Sequence, residues 1–349
     1  MMQKTTQKNI PNILIIGCGS IGERHLRCFQ STRRCEVFAC DSNEQLLKSV
    51  GVRYSARTEP DFHKALRAFR PDAAVICTPA PHHIPMAIAA LEAGCHVLIE
   101  KPLSTSLKDT GALLNDATRT GRQMAVAYVC RSYPILQKAR SFLTGNPFGE
   151  IRQIVAHSGQ PFHLLRKGYA TTYYRDRATG GGAIQDGLTH WANIVEWFAG
   201  PTGSVMCDCA HLAVPGVEVE DTVHLSARNA GVLVSYAYNQ FQAPNEVSIQ
   251  FNAMRGSLRV ELHNQRWGFC RHDENASAWS DKNWTWEEVP MAGRDTPFIA
   301  QANAFLDQIE TGSPCLCTIQ EAVQTLKFNL AALRSAGTGT RVFCNEITE

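Results

Sequence analysis

The sequence predicts an α/β fold in two parts, an N-terminal doubly wound parallel sheet and a C-terminal α/β domain with a largely antiparallel open sheet. Through about residue 145, short apolar runs alternate with runs of helical length, which is typical of strand–helix–strand units. A cluster of turn-forming residues at 145–150 interrupts this alternation, and strand-like runs joined by short turns follow it. We therefore expect a first domain at residues 10–147 and a second domain at residues 148–349.

Five strands and four helices are predicted in the first domain. The strands are short and apolar throughout, as expected where a parallel sheet is covered on both faces. They are placed at residues 13–16, 36–40, 73–77, 96–99 and 124–129, and the helices at residues 21–30, 61–69, 84–92 and 107–120.

Strands dominate the second domain. They are predicted at residues 151–157, 204–212, 222–227, 232–239, 246–254, 257–262, 266–271 and 341–344, with helices at 182–198, 298–309 and 318–334. The last two helices are expected to pack back on the first domain. A sheet with helices on one face leaves the other face in need of a cover. The alternating apolar residues at 247–251 and 258–262 are candidates for that open face, so we expect a homodimer or homotetramer joined through it.

Composition and charge exclude several classes of protein. The net charge is +2 and no basic run occurs, so we expect no nucleic-acid partner. The sequence has no run of about 18 apolar residues, and residues 1–11 lack a signal-peptide pattern, which together predict a cytoplasmic protein without a membrane span. Thirteen cysteines are then expected as reduced thiols. The pairs Cys207/Cys209 and Cys315/Cys317 have the spacing of residues on one face of a strand rather than that of a zinc site, so no metal is predicted.

A glycine-rich motif follows the first predicted strand and opens a helix, which is the context that makes the pattern G-x-G-x-x-G informative. Backbone N–H groups at such a helix start bind a diphosphate, as in a Rossmann dinucleotide-binding domain. Asp41 ends the next strand, where its carboxylate would bind ribose hydroxyls and favour NAD over NADP. The alternative is a strand–turn–helix that binds nothing. The residues assigned to the cofactor here are Gly17, Gly19, Ser20, Ile21, Gly22 and Asp41.

Two further motifs follow later strands of the same sheet. Thr78 and Pro79 end the third strand, where a hydrogen bond to the cofactor and a simple turn are equally good interpretations. Glu100 and Lys101 follow the fourth strand, and a lysine at that edge can stabilise charge on a reacting oxygen. The alternative for Lys101 is a surface residue whose stem lies on apolar neighbours.

A glycine triplet at residues 180–182 opens the first helix of the second domain. Asp186 and His190 are four residues apart, on one face of that helix. Since a histidine has an ordinary pKa near 6.5, His190 can accept a hydroxyl proton near neutral pH while Asp186 fixes its tautomer. The alternative is a chance polar pair on a solvated helix face.

Together these segments resemble the glucose–fructose oxidoreductase/inositol dehydrogenase (Gfo/Idh/MocA) family of NAD(P)-dependent oxidoreductases over nearly the whole chain. The resemblance implies that Lys101, Asp186 and His190 are catalytic. It also implies cofactor contacts from Thr78, Pro79, His83, Glu100 and Lys101, and substrate contacts from Lys101, Tyr128, Arg131, Arg166, Asp186 and His190. The chain departs from the family pattern at Ala80 and Asn193, where family members often carry Asn and Asp.

The predicted function is NAD-dependent hydride transfer to or from a secondary hydroxyl or carbonyl of a sugar, sugar acid or cyclitol. Two alternatives stay open: an NAD-binding sensor that turns nothing over, and a hydrolase or epimerase with transient hydride transfer. Basic residues in the stretch expected to set specificity have two interpretations, a site for an acidic substrate or a solvated loop. They are Arg166, Lys167, Arg175 and Arg177.

Overall fold

The structure, a computed structural model, describes residues 10–273 and 279–349. Most of the N-terminal stretch that led us to expect no signal peptide, residues 1–9, therefore lies outside the described residues. The described chain forms two sheets, one parallel and one mostly antiparallel. The predicted fold class is confirmed.

The first sheet has six parallel strands in the order β3-β2-β1-β4-β5-β6. These strands are β1 (Asn12–Ile16), β2 (Glu36–Cys40), β3 (Arg57–Thr58), β4 (Ala73–Ile76), β5 (His96–Ile99) and β6 (Met124–Val126). Strand order reverses between β1 and β4, and a doubly wound sheet opens a crevice at the carboxyl ends of the strands at such a point. The turns after β1 and β4 therefore border one cleft.

Helices cover both faces of this sheet. They are α1 (Ser20–Thr32), α2 (Glu44–Tyr54), α3 (Phe62–Phe69), α4 (His83–Glu92) and α5 (Thr110–Thr120), with α9 (Thr296–Thr311) near the end of the chain. Helices α6 (Pro134–Thr144) and α10 (Ile319–Thr338) pack mainly on the second sheet. Phe305 and Leu306 of α9 pack in the same apolar cluster as Ile13 and Ile15 of β1. Helix α9 thus completes the core of the first sheet. The predicted boundary at 147/148 separates the two sheets, but α9, which lies beyond that boundary in sequence, packs on the first sheet.

The structure differs from the prediction at four elements of residues 10–147. Strand β3 and helices α2 and α6 were not predicted; α2 buries only Leu47 and Val50 and so has a weak apolar period. Strand β6 ends at Val126 rather than continuing to residue 129. The backbone turns there, because the N–H of Tyr128 donates to the carbonyl of Val126 and a 3₁₀ turn follows.

The second sheet has nine strands in the order β14-β13-β12-β11-β7-β10-β9-β8-β15. Only β7 and β10 pair in parallel; the other neighbours in the described sheet are antiparallel. The strands are β7 (Ile151–Pro161), β8 (Thr202–Ala210), β9 (Thr222–Asn229), β10 (Val232–Asn239), β11 (Phe241–Ala253), β12 (Gly256–Glu261), β13 (Arg266–Arg271), β14 (Thr285–Glu288) and β15 (Val342–Phe343). Between β7 and β8 lie the short α7 (Phe162–Leu165), a π-helical turn (Ala183–Leu188) and α8 (Thr189–Ala199).

The apolar residues predicted for the open face of this sheet lie instead under the helices, so that prediction is wrong. Ile249, Phe251, Leu258 and Val260 are at most 1% exposed and belong to the core formed with α8 and α10. Alternation shows which residues share a face of a strand, but it does not show which face the helices cover. The open face carries other residues, among them Val155, Met206 and Leu233, which are 40%, 49% and 40% exposed.

The structure also bears on the expectations for the cysteine pairs, for a metal site and for a membrane span. Cys207 lies in β8 as expected, but Cys315 and Cys317 lie in the turn between α9 and α10 and not in a strand. In the described part of the chain, no three His, Cys, Asp or Glu side chains are grouped so as to hold a metal ion. No helix among the described residues has the length and apolarity needed to cross a bilayer.

Candidate active site

The glycine turn after β1 is shaped by close backbone packing. Gly17 has φ +87°, and a Cβ there would lie 2.8 Å from the carbonyl oxygen of Cys77. A Cβ on Gly22 would lie 1.7 Å from the carbonyl oxygen of Gly17, so the turn and α1 can pack this way only without side chains. Gly19 is the N-cap of α1 and supplies no side-chain cap, while a side chain there would meet no described atom within 4 Å. Open space thus lies over uncapped N–H groups, including those of Ser20 and Ile21, which fits a dinucleotide diphosphate.

Asp41 lies beside the same turn, directly after β2. Its carboxylate accepts hydrogen bonds from the backbone N–H of Cys18 at 2.6 Å and of Asn43 at 2.8 Å. These bonds hold the carboxylate against the glycine turn, and each oxygen keeps a second lone pair for a ligand hydroxyl. The position fits the predicted role on the ribose, which stays a prediction.

The turns after β4 and β5 are joined by His83, the first residue of α4. Its Nε2 lies 2.7 Å from the carbonyl oxygen of Thr78, and its Nδ1 lies 3.0 Å from that of Pro102. With 1% exposure and both nitrogens facing backbone carbonyls, the ring ties the two turns together. The imidazole therefore has a positioning role, and the contact of His83 with the cofactor stays a prediction. The hydroxyl of Thr78 donates to the sulfur of Met86 at 3.6 Å, so Thr78 and Pro79 border the cleft chiefly through their backbone.

Glu100 is buried and occupied by groups of the protein itself. Its Oε1 lies 2.7 Å from Nε2 of His25, and its Oε2 accepts the backbone N–H of Lys101 at 3.0 Å. Burial alone would raise the pKa of Glu100, but the hydrogen bond and charge of His25 lower it. A carboxylate held in this way orients the Lys101 backbone, which gives Glu100 a positioning role; its contact with the cofactor stays a prediction.

Lys101, Asp186 and Tyr173 form the centre of the site. The ammonium of Lys101 donates to the backbone carbonyl of Asp186 at 2.8 Å and to its Oδ1 at 3.0 Å. The hydroxyl of Tyr173 donates to the same Oδ1 at 2.8 Å. Burial would raise the pKa of Asp186, but Lys101 and Arg166 lower it to about 2, so the side chain is a carboxylate. An ammonium has three N–H donors, and two are used here.

The π-helical turn explains how Lys101 reaches both the backbone carbonyl oxygen and Oδ1 of Asp186. The turn runs from Ala183 to Leu188, where a regular helix was predicted, and π turns are frequent at functional sites. Its wider backbone exposes the Asp186 carbonyl to a side-chain donor. Glu220, 1% exposed, anchors the start of the turn by accepting the backbone N–H of Ile184 at 3.1 Å.

His190 follows the π turn, on α8, within electrostatic range of Lys101, Asp186 and Arg166. Burial, and next the charge of Lys101, lower the pKa of His190 to about 3, so the imidazole is neutral at neutral pH. Among the described residues no hydrogen bond joins His190 to Asp186, whose Oδ1 accepts from Lys101 and Tyr173, so the predicted pairing is not formed. Nδ1 of His190 is buried and has no hydrogen-bond partner within residues 10–273 and 279–349. The structure thus joins Lys101 and Asp186 directly and places His190 within range of their charges.

Two residues predicted to bind substrate are structural. Arg131 is 1% exposed; its guanidinium donates to Asn193 at 2.7 Å and to Glu321 at 2.6 Å, which locks α10 onto the site. Tyr128 is also 1% exposed, and its hydroxyl lies 3.1 Å from that of Thr189, so only its ring edge approaches His190. Their substrate contacts were predicted from resemblance, and the burial of both side chains contradicts them.

Arg166 is a further residue predicted to bind substrate. It follows α7 at an exposed position, its guanidinium lies 5.5 Å from the centre of the Phe162 ring, and its charge acts on both Asp186 and His190; its contact with a substrate stays a prediction. Tyr173 and His25 were missed in the sequence. Neither residue belongs to a recognisable sequence motif. Tyr173 lies in an irregular segment, and in the sequence His25 cannot be told from the other residues on the buried face of α1.

The chain matches two family models. Residues 11–128 match the Gfo/Idh/MocA model described as an oxidoreductase family with an NAD-binding Rossmann fold, and residues 136–259 match the C-terminal domain of the same family. The prediction of an NAD-binding Rossmann domain is thereby confirmed.

Among relatives, D-apiose dehydrogenase of Paraburkholderia graminis is 30% identical over 75% of this chain and 72% of its own length. D-glucoside 3-dehydrogenase of Escherichia coli is 30% identical over 40% of each chain. The chain spans about two-fifths of the length of the first curated relatives it matches. Among solved structures, the WlbA dehydrogenase of Bordetella pertussis in complex with NADH and UDP-GlcNAcA has a TM-score of 0.79 at 24% identity, covering 96% of this chain and 99% of that one. At that identity the likeness shows the fold.

Proposed function

This chain belongs to the Gfo/Idh/MocA family of oxidoreductases, and on that premise we propose that it is an NAD-dependent dehydrogenase of sugar-like substrates. The substrate would be a sugar, sugar acid or cyclitol whose secondary hydroxyl is oxidised, or whose carbonyl is reduced. Relatives named as dehydrogenases of D-apiose and D-glucosides support this substrate class.

The observation that carries the proposal is the Lys101 ammonium. Asp186 takes two of its N–H groups and orients it, which leaves one N–H for an oxygen of a bound molecule. Beside it lies His190, kept neutral by burial and by Lys101. A fixed cation next to a neutral base is what a secondary alcohol needs as it loses a proton and gains carbonyl character.

The residues would then divide the work as follows. The N–H groups of the glycine turn hold the cofactor diphosphate, and Asp41 holds the ribose. Lys101 binds the reacting oxygen and stabilises its developing negative charge, while the His190 imidazole accepts the hydroxyl proton. Tyr173 and Asp186 keep the ammonium in place. The nicotinamide, when bound, supplies the hydride acceptor or donor.

Cofactor preference follows from Asp41. Its carboxylate would repel a 2′-phosphate, so NAD should bind more tightly than NADP, and Asp41→Ala should narrow the difference. Binding of each dinucleotide can be titrated through tryptophan fluorescence. An unmodified protein that bound NADP more tightly would contradict the assignment.

Assembly and location are part of the proposal. We place the protein in the cytoplasm, where thiols stay reduced, and all thirteen cysteines are free in the structure. A homodimer or homotetramer would use the open face of the second sheet.

The direct test is net NADH formation with purified protein and NAD over a panel of polyols, sugars and sugar acids. Turnover with at least one member is expected, and kcat should fall by about 100-fold or more in Lys101→Ala. Cofactor binding without turnover of any member would favour the sensor. Substrate conversion without net NADH would favour a hydrolase or epimerase.

A further inference from the structure

Tyr173 is a residue of the site that neither a motif nor the family resemblance assigned. It lies in the irregular segment between α7 and the π turn. Its hydroxyl donates to Oδ1 of Asp186 at 2.8 Å, and the Lys101 ammonium donates to the same oxygen at 3.0 Å. Because one oxygen atom receives both donors, the hydroxyl end of Tyr173 lies beside the ammonium that would bind the reacting oxygen of the substrate.

The Tyr173 side chain is held at both of its ends. At the backbone end, its carbonyl accepts a hydrogen bond from the Thr179 hydroxyl at 2.7 Å. The next residue, Tyr174, is 1% exposed and anchors the segment, since its ring lies 4.5 Å from that of Phe162 and its hydroxyl donates to Gln240. At the other end, the hydroxyl is fixed by its hydrogen bond to the carboxylate. The ring therefore has little freedom to turn away from the site.

Between those two ends the ring is open. Tyr173 is 38% exposed, although its hydroxyl is bonded inside the site. The neighbouring aromatic rings, those of Phe162, Tyr169 and Tyr174, pack on one another. Within residues 10–273 and 279–349, no aromatic ring or guanidinium stacks on the Tyr173 ring, and the nearby guanidinium of Arg166 lies over Phe162. A single exposed aromatic ring is ordinary on a protein surface, but this one is fixed to the carboxylate at the centre of the site.

We propose that the Tyr173 ring is a platform on which one face of a ring-shaped substrate packs, so that the preferred substrates are cyclic sugars or cyclitols rather than open-chain polyols. The ring C–H groups of a pyranose or cyclitol form a flat apolar patch, and its hydroxyls project around the rim. Such a molecule can lay this patch on the phenol ring while one rim hydroxyl reaches Lys101. An open-chain polyol has no flat face and would lose more rotational freedom on binding. The inference rests on the proposed dehydrogenase function and narrows its substrate class.

The test compares cyclic and open-chain substrates of matched size. One pair is 1,5-anhydro-D-glucitol and D-glucitol, which share the configuration of their common carbons. The other is myo-inositol and D-mannitol, which have equal numbers of carbons and hydroxyls. We expect kcat/KM to be higher by about tenfold or more for the cyclic member of each pair. An equal or higher value for the open-chain members would overturn the inference.

Two substitutions separate the ring from the hydroxyl. Tyr173→Phe keeps the ring and removes the hydroxyl, so it should lower kcat by the same factor for both members of a pair and leave KM of the cyclic member within a few-fold. Tyr173→Leu removes the ring as well and should raise that KM by about 10-fold, which brings the two kcat/KM values together. Phe241→Leu, at a position in β11 that is also 38% exposed, is the control and should leave the preference unchanged. An equal loss of kcat/KM for both members in Tyr173→Leu would mean that the ring supports the carboxylate and binds no substrate.

Binding is measured beside turnover, so that a failure of this inference can be told from a failure of the proposed function. Calorimetric titration of the NADH-loaded protein with 1,5-anhydro-D-glucitol should show affinity that Tyr173→Leu reduces and Tyr173→Phe retains. NADH affinity and circular dichroism should stay those of the unmodified protein. If neither class is turned over but this pattern of affinities is seen, the dehydrogenase function fails and the platform stands. No binding of the cyclic polyol, or equal binding in Tyr173→Leu, would overturn the platform.

Discussion

At the scale of single residues, the site depends on how one ammonium is shared. The backbone carbonyl and Oδ1 of Asp186 orient the Lys101 ammonium, and the Tyr173 hydroxyl donates to the same Oδ1. The motif around Lys101 could be predicted from its place after a buried strand. Its partner atoms could not, because they depend on a backbone turn and on a loop without periodicity.

Replacement of Lys101 should affect chemistry far more than cofactor binding. Lys101→Ala removes stabilisation of the reacting oxygen of roughly 3 kcal/mol, by analogy with an oxyanion-hole donor, so kcat should fall by about 100-fold or more. Steady-state kinetics with the best substrate and NAD titration measure the two effects. Lys108→Ala, in the exposed segment before α5, is the control and should keep normal kcat. Near-normal turnover in Lys101→Ala would remove Lys101 from the mechanism.

The pH dependence expected of His190 differs from that of an exposed histidine. The sequence predicted titration near the ordinary pKa of 6.5, but burial and Lys101 lower the pKa of His190 to about 3. Because the neutral imidazole is the base, kcat/KM should show no acid limb near pH 6.5 that depends on this residue. A limb near pH 6.5 in the unmodified protein that disappears in His190→Asn would contradict this.

The same shift predicts an effect on stability. A histidine with a depressed folded pKa contributes stability that is fully present above about pH 6.5 and is lost as the pH falls toward 3. Between pH 7 and pH 5 the loss due to one such histidine is about 2 kcal/mol. Urea unfolding at both pH values should show a correspondingly smaller loss in His190→Asn than in the unmodified protein.

At the scale of elements, the sequence predicted most strands and the helices with a strong apolar period. Strand β1 and the glycine turn were recognised because a buried run and a motif occur together. The π turn was predicted as an ordinary α-helix, because the number of residues between Asp186 and His190 is the same in both conformations. The conformation of the turn decides which of the two side chains contacts Lys101, and in the structure it is Asp186.

The conformation of the π turn should depend on Gly182, the residue directly before it. Gly182 has φ +91°, and a Cβ there would lie 2.5 Å from Oε1 of Glu220, the carboxylate that anchors the turn. Gly182→Ala should therefore lower the free energy of unfolding by about 1–3 kcal/mol and also lower kcat. Gly121→Ala is the control for backbone strain alone. Gly121 also has a positive φ, +64°, but an added Cβ would meet no described atom within 4 Å and so would displace nothing. It should destabilise the protein with kcat unchanged, whereas equal kinetics in both variants would contradict the role of the turn.

At the scale of the whole molecule, the second sheet presents a face that no helix of the described chain covers. A row of residues crosses five neighbouring strands on it: Met206, Ser226, Ser235, Val155 and Gln250. Leu233 lies two residues from Ser235 on the same face. Exposed apolar side chains on one continuous surface are typical of protein–protein contacts, which supports the proposed assembly, although these are not the residues that the sequence pattern suggested.

We expect a homodimer or homotetramer whose contact includes Val155 and Leu233. The double variant Val155→Lys/Leu233→Lys places two like charges per chain in a surface that would be buried against its copy, so it should lower the assembly to a monomer by light scattering. Both side chains point to solvent within one chain, so the circular dichroism of the monomer should stay that of the folded protein. Val52→Lys, at a 77% exposed position on α2 far from the second sheet, is the control and should keep the assembly. An unmodified protein that is a stable monomer at micromolar concentration would contradict the expected assembly.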